Sequence, residues 1–151
     1  MKKSKKILTV VYLILTIALT VFIFANSLDN GEESGKKSDV VVDLFRSFLG
    51  EIGINVDEYI LGVIIRKLAH FAEYFVLGCA SSLFVFQILC KRHIYASPAY
   101  CLAIAFCDEF VMQMITDGRA PRFTDVLIDF SGALLAVVLI CFFQSRKEKR
   151  I

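Results

Sequence analysis

The chain has 151 residues, of which 57% are hydrophobic and 21% charged, with 14 Phe, no Trp and a formal net charge of +2. A mean hydropathy of +0.66 argues against an ordinary soluble domain, and a chain of this length has room for one compact unit. Basic runs sit at the termini, where anchoring to a membrane surface accounts for them, so no nucleic-acid partner is expected.

The amino terminus, MKKSKK, leads into Ile7–Ala25, an apolar stretch without a charge. It is long for a signal-peptide core, and Phe24-Ala25-Asn26-Ser27 lacks a small-x-small cleavage pattern, so a retained first helix is expected. Asn26–Ser38 is polar and contains glycine, which predicts a mobile loop. Val41, Leu44, Phe45, Phe48, Leu49 and Ile52 then recur at helical spacing, with Ser38 or Asp39 as the cap. They predict an amphipathic helix, lying on the membrane surface or packed over the bundle mouth. Asn55 followed by Glu58 marks another helix start, running on into the second apolar stretch, Leu68–Cys90. Pro98 opens the third stretch, Pro98–Thr116, and Gly118 and Pro121 mark the turn before the fourth, Val126–Phe143.

Each stretch approaches or exceeds the roughly 18–20 residues that span a hydrocarbon core. Backbone in lipid must be helix or closed barrel, and unbroken apolar runs of this length exclude barrel strands. The predicted fold is therefore all-α: a polytopic bundle of four transmembrane helices, with an amphipathic outer-surface helix between the first and second spans. All five cysteines fall in or beside spans, so no disulfide framework is expected and they read as packing residues.

Orientation follows from charge. The basic amino terminus, Lys91 and Arg92 in the middle link, and Arg146, Lys147, Lys149 and Arg150 at the end all belong in the cytoplasm, as do both termini. Arg66, Lys67, Arg119 and Arg122 then lie beside spans on the outer face, against the positive-inside rule, so something there is expected to hold them.

With alternating spans, the ionisable residues inside the apolar stretches share the outer leaflet: His70 and Glu73, Asp108 and Glu109, Asp125 and Asp129. Charge in hydrocarbon persists where it is paired, hydrated or used. Arg66, His70 and Glu73 share a helical stripe about 60° wide, with Lys67 and Tyr74 on a neighbouring one. Asp125, Asp129 and Gly132 share one face, and Gly132 with Ala136 makes a small-xxx-small surface for close helix approach. Asp108 and Glu109 are about 100° apart on an α-helix and cannot point the same way, while Gln113 lies one turn beyond Glu109. At matched depths, these side chains are expected to share one polar cavity with a basic lip of Arg119 and Arg122.

Arg66-Lys67-x-x-His70-x-x-Glu73-Tyr74, then Asp108-Glu109, Gln113, Gly118-Arg119 and Asp125-x-x-x-Asp129-x-x-Gly132 resemble the VanZ-like family of bacterial membrane proteins. The string DVLIDFSGALLA is similar to that family's last helix. The resemblance covers Arg66 to Ala136; the first helix and outer loop carry no signature of it. With the apolar stretches, the expected division of the chain is a basic tail and first helix (1–25), an extracytoplasmic loop with its helix (26–66), a VanZ-like three-helix core (67–143) and a basic tail (144–151). Two departures stand out. Gln113 follows Glu109 by one residue more than in the family pattern, and Gly118-Arg119 is displaced likewise, as if a residue were inserted. Ala136 stands where the family often has glycine.

The resemblance implies a multi-pass protein of the bacterial plasma membrane, associated with resistance to glycopeptides, teicoplanin above all, without an assigned reaction or cofactor. The first functional reading is a non-catalytic binder whose outer cavity takes a lipid head group, a lipid-linked cell-wall precursor or a glycopeptide. Membrane lipids are its other partners, and the sequence does not set an oligomeric state. Arg66, Lys67, Arg119 and Arg122 would meet phosphate or carboxylate. The alternative is an intramembrane metal-dependent hydrolase of a lipid-linked substrate, with ligands from His70, Glu73, Asp108, Glu109 and Asp129. A proton relay through His70 and the buried acids, and a self-neutralising network that only fixes helix register, are the remaining readings.

Overall fold

Helix takes up nearly all the described residues of the apolar stretches, and it extends past them at several ends. The computed structural model describes residues 3–28, 31–89, 93–116 and 120–148. Its elements are α1 (Lys3–Ser27), α2 (Gly31–Glu51), α3 (Glu58–Ile88), α4 (Ala96–Cys107) and α5 (Phe123–Glu148), with no strand among the described residues. α4 continues through a π-helical turn, Asp108–Met112, and a 3-10 turn, Gln113–Ile115. Four helical stretches are long and apolar enough to cross a membrane: Ser4–Ser27, Glu58–Ile88, Ala96–Ile115 and Phe123–Arg146. Cys90, Lys91, Arg92, Gly118, Arg119, Lys149 and Arg150 lie outside the described residues.

The polarity of the bundle is that of a protein solvated by lipid. Ile14, Val21, Phe22, Val76, Phe106, Leu134, Leu135 and Val138 are exposed, whereas Ser81, Ser82, Ser97, Asp108, Glu109 and Asp129 are buried. In water this would be costly; in a bilayer the apolar face meets its own kind and the polar groups find each other. A small apolar core of Ile23, Tyr74, Leu77, Cys101, Ala105, Val126 and Ala133 joins α1, α3, α4 and α5.

α3 and α5 run parallel, and small residues set their separation. A Cβ placed on Gly132 would lie 2.3 Å from the Phe71 carbonyl oxygen. One on Gly78 would lie 2.8 Å from the Ala133 oxygen and 2.9 Å from the Ala136 Cβ. The seam therefore needs Gly132, Ala133 and Ala136 on α5 and Gly78 on α3. The α3 half is invisible when each helix is read alone. α4 lies antiparallel to α3, so Ser97 and Cys101 reach Ser81 and Ser82 near one end while Asp108 reaches His70 near the other.

Two helix starts differ from the sequence expectation. α3 is capped by Asp57, whose carboxylate accepts from the amides of Tyr59 at 3.0 Å and Ile60 at 3.2 Å. Asn55, two residues earlier, lies before the cap; the carboxylate at 57 satisfies two orphan amides at once. With 31 residues, α3 is about 46 Å long and exceeds one bilayer crossing. α2 begins at Gly31 rather than near Asp39, so most of the segment expected as loop is helical. That segment is rich in Glu and Lys, which are good helix formers. Val42 of α2 is buried beside Gly62 of α3, while Leu44, Phe45, Phe48 and Ile52 stay exposed.

Candidate functional site

The amino-terminal half of α3, the end of the α4 continuation and the first turns of α5 meet at one end of the bundle. The carboxyl end of α1 joins them: Asn26 donates to Glu73 at 3.0 Å, and Thr116 donates to the Ser27 carbonyl at 3.2 Å. A cavity of about 680 Å³ opens between these elements and α2. Arg66, Lys67 and His70 of α3, Gln113, Arg122, and Asp125 and Asp129 of α5 line it, together with Asp39, Val42, Tyr59 and Gly62.

Charge is unevenly matched within it. Lys67 forms a salt bridge with Asp125, both about one-third exposed. Among the described residues, neither Arg66 nor the Arg122 guanidinium makes an ion pair. Asp129 is fully buried, and neither of its carboxylate oxygens has a hydrogen-bond partner among the described residues. The nearest cationic candidate is His70, whose Nδ1 lies 3.8 Å from Oδ1 of Asp129, a contact too long for a hydrogen bond.

The expected constellation divides into three parts. Arg66, Lys67, His70, Gln113, Arg122, Asp125 and Asp129 face the cavity. Glu73 turns toward α1, where it accepts from Asn26, and Tyr74 is buried in the core with no hydrogen-bond partner for its hydroxyl among the described residues. Asp108 and Glu109 are both fully buried but take different work. Glu109 accepts from the Gln113 side chain and from the backbone N–H of Arg122, each at 2.5 Å. It fixes the chain that enters α5. Asp108 faces the other way, with a carboxylate oxygen within 4.8 Å of ligand atoms on His70 and Asp129.

Both adjacent acids sit at the start of a π-helical turn. A π turn holds one residue more than an α turn and so narrows the angle between neighbours, but Asp108 and Glu109 still serve different partners, each on a buried side of the helix. The turn spans Asp108–Met112. The helix keeps its hydrogen bonding and the site keeps its acids. Arg119, expected at the lip, and Gly118, expected in the turn, lie outside the described residues.

Sequence reasoning missed two contributors. Asn26, at the end of α1, looked like the first loop residue; it brings α1 to the site through Glu73. Ser81, Ser82 and Ser97 form a second buried polar cluster away from the cavity, with hydroxyl contacts of 2.7 and 3.0 Å. Small hydroxyls in spans give little periodic signal, so only their juxtaposition reveals them.

Nothing among curated proteins or solved structures matches the chain. A family model does, over residues 9–144, so the match takes in α1 and α2 as well as the three helices that carry the motifs. A multi-pass helical bundle with this residue pattern, matched over nearly its whole length, belongs to the VanZ/LLP1 family.

Proposed function

We propose that this protein is a non-catalytic membrane binder whose cavity takes an anionic head group from the outer leaflet. The ligand is a lipid-linked cell-wall precursor, a phospholipid or a glycopeptide, and its capture lowers susceptibility to teicoplanin. The observation that carries this reading is the pair of guanidinium groups, Arg66 and Arg122, that line the cavity without an ion-pair partner among the described residues. Guanidinium presents paired donors matched to phosphate and carboxylate. A volume of about 680 Å³ is within the range of small-ligand sites and large enough for a phosphorylated head group. Asp125 holds Lys67 in place at the rim. Glu109 and Gln113 support the Arg122 segment from behind.

In this reading the spans sit in a bacterial plasma membrane with both termini in the cytoplasm and the cavity on the opposite face, the arrangement that the basic residues at the termini favour. α2 lies along that outer surface with its exposed Leu44, Phe45 and Phe48 toward lipid. The test is expression in a teicoplanin-susceptible host, with the double variant Arg66→Gln/Arg122→Gln alongside. Wild-type chain should lower susceptibility and the double variant should not, at equal membrane abundance. Equal susceptibility in host, wild type and variant removes the antibiotic role.

A further inference from the structure

We infer that His70, Asp108 and Asp129 form a binding site for a divalent transition-metal cation in the wall of the cavity. One ligand atom from each residue lies within 4.8 Å of the others, drawn from α3, the π-helical turn and α5. Donors around a small divalent ion at 2.0–2.2 Å lie roughly 3–4 Å apart, so modest rotamer adjustment closes the set. The independent observation is Asp129. Its side chain is fully buried, faces the cavity, and has no hydrogen-bond partner for either oxygen among the described residues. A buried carboxylate without donors is costly, and a second carboxylate beside it raises the cost. A cation between them offsets both.

The donors choose the ion. One imidazole and two carboxylates suit Zn²⁺ or Mn²⁺; Mg²⁺ and Ca²⁺ prefer oxygen donors alone. Asp108 reaches the set from the start of the π-helical turn, while its neighbour Glu109 holds the Arg122 amide. Three protein ligands leave coordination positions free, and two of the three, His70 and Asp129, line the cavity together with Arg66 and Arg122. A head-group phosphate could fill one of them; that last step rests on the binding reading above, whereas the cation site does not.

The experiment uses the full, tag-free chain purified in mild detergent, stripped with chelator and dialysed against Zn²⁺ or Mn²⁺ with no lipid added. Elemental analysis should give about one ion per chain for wild type and at least a tenfold weaker affinity for His70→Ala and Asp129→Asn. Bound Mn²⁺ should show nitrogen coupling in pulsed electron paramagnetic resonance, a readout that needs no variant. A wild-type chain that binds neither ion, binds it without nitrogen coupling, or binds it equally in His70→Ala overturns the site. Because no head group is present, such a failure leaves the head-group reading standing. Loss of teicoplanin protection in the Arg66/Arg122 variant with metal still bound would separate the two in the other direction.

Discussion

Two polar clusters are buried in the same bundle, and they are built on opposite principles. Where Ser81 and Ser82 of α3 meet Ser97 of α4, the hydroxyls bond one another at 2.7 and 3.0 Å, and Cys101 adds a weaker sulfur contact at 3.6 Å. Every group there is small, neutral and served by its neighbours. At the other end, Asp129 is equally buried, yet its oxygens lack hydrogen-bond partners among the described residues. A satisfied network fastens helices together; a buried group that the protein leaves unserved is a group kept for something else. The serine cluster is therefore read as glue and the acidic end as the working site.

The sharpest way to break the comparison is to remove the seam that connects both ends. Gly132→Leu would drive a side chain into the Phe71 carbonyl, which a Cβ alone already approaches to 2.3 Å. Backbone cannot yield there as a flexible side chain would. α3 and α5 should separate, with a loss of about 3 kcal/mol or more and a collapse of folded yield by size-exclusion in detergent. Gly78→Leu meets Ala133 backbone at 2.8 Å and should behave likewise. If either variant folds with an unchanged melting temperature, the close parallel packing of α3 and α5 is wrong.

Glu109→Ala comes next. It removes an acceptor for both the Gln113 amide and the Arg122 N–H and leaves those donors in a buried place. Hydrogen bonds to a charged group contribute about 1.5–3 kcal/mol, so a thermal shift of that order is expected, together with loss of head-group binding as Arg122 moves. Glu109→Gln keeps one acceptor and should recover most of the stability. Equal stability of both variants and wild type would mean that Glu109 ties nothing.

The two clusters themselves are separated by a pair of substitutions with opposite signatures. Ser97→Ala removes the hydroxyl shared by Ser81 and Ser82 and should lower stability by about 1 kcal/mol without touching teicoplanin protection. Asp129→Asn puts a neutral isostere in place of an acid that has no hydrogen-bond donors and should leave the melting temperature unchanged or raised, while protection is lost. A destabilised Asp129→Asn would instead place that carboxylate among the structural groups.

How much of this could be read from residues alone depends on the range of the signal. Four spans were legible because apolar length is a local property, and so was the gathering of His70, Asp108 and Asp129 at one end, which follows from alternating direction. The start of α2 was not, because polar Glu- and Lys-rich helix and polar loop share a composition. The parting of Asp108 from Glu109 was legible in their angular offset, whereas the π-helical turn that carries them, and the full burial of both, were not. Gly78 carried no sign of its role, since a small residue matters only when the backbone opposite is known. Asn26 stood outside every pattern and acts through a contact with a residue on another helix.

The smallest expected effect concerns how α2 is held beside the cavity. Arg46 of α2 donates to Glu58, the first residue of α3, at 2.6 Å, but their side chains are 55% and 64% exposed. A pair so open to solvent contributes only about 0–1 kcal/mol, and salt screens it further. Val42, buried beside Gly62, should matter more for seating the helix. Arg46→Ala is therefore expected to change melting by less than a degree or two, whereas Val42→Asp should release α2 and raise its amide hydrogen exchange. If Arg46→Ala loosens α2 as much as Val42→Asp does, the helix is held by charge at its rim and the cavity wall it forms would open with rising salt.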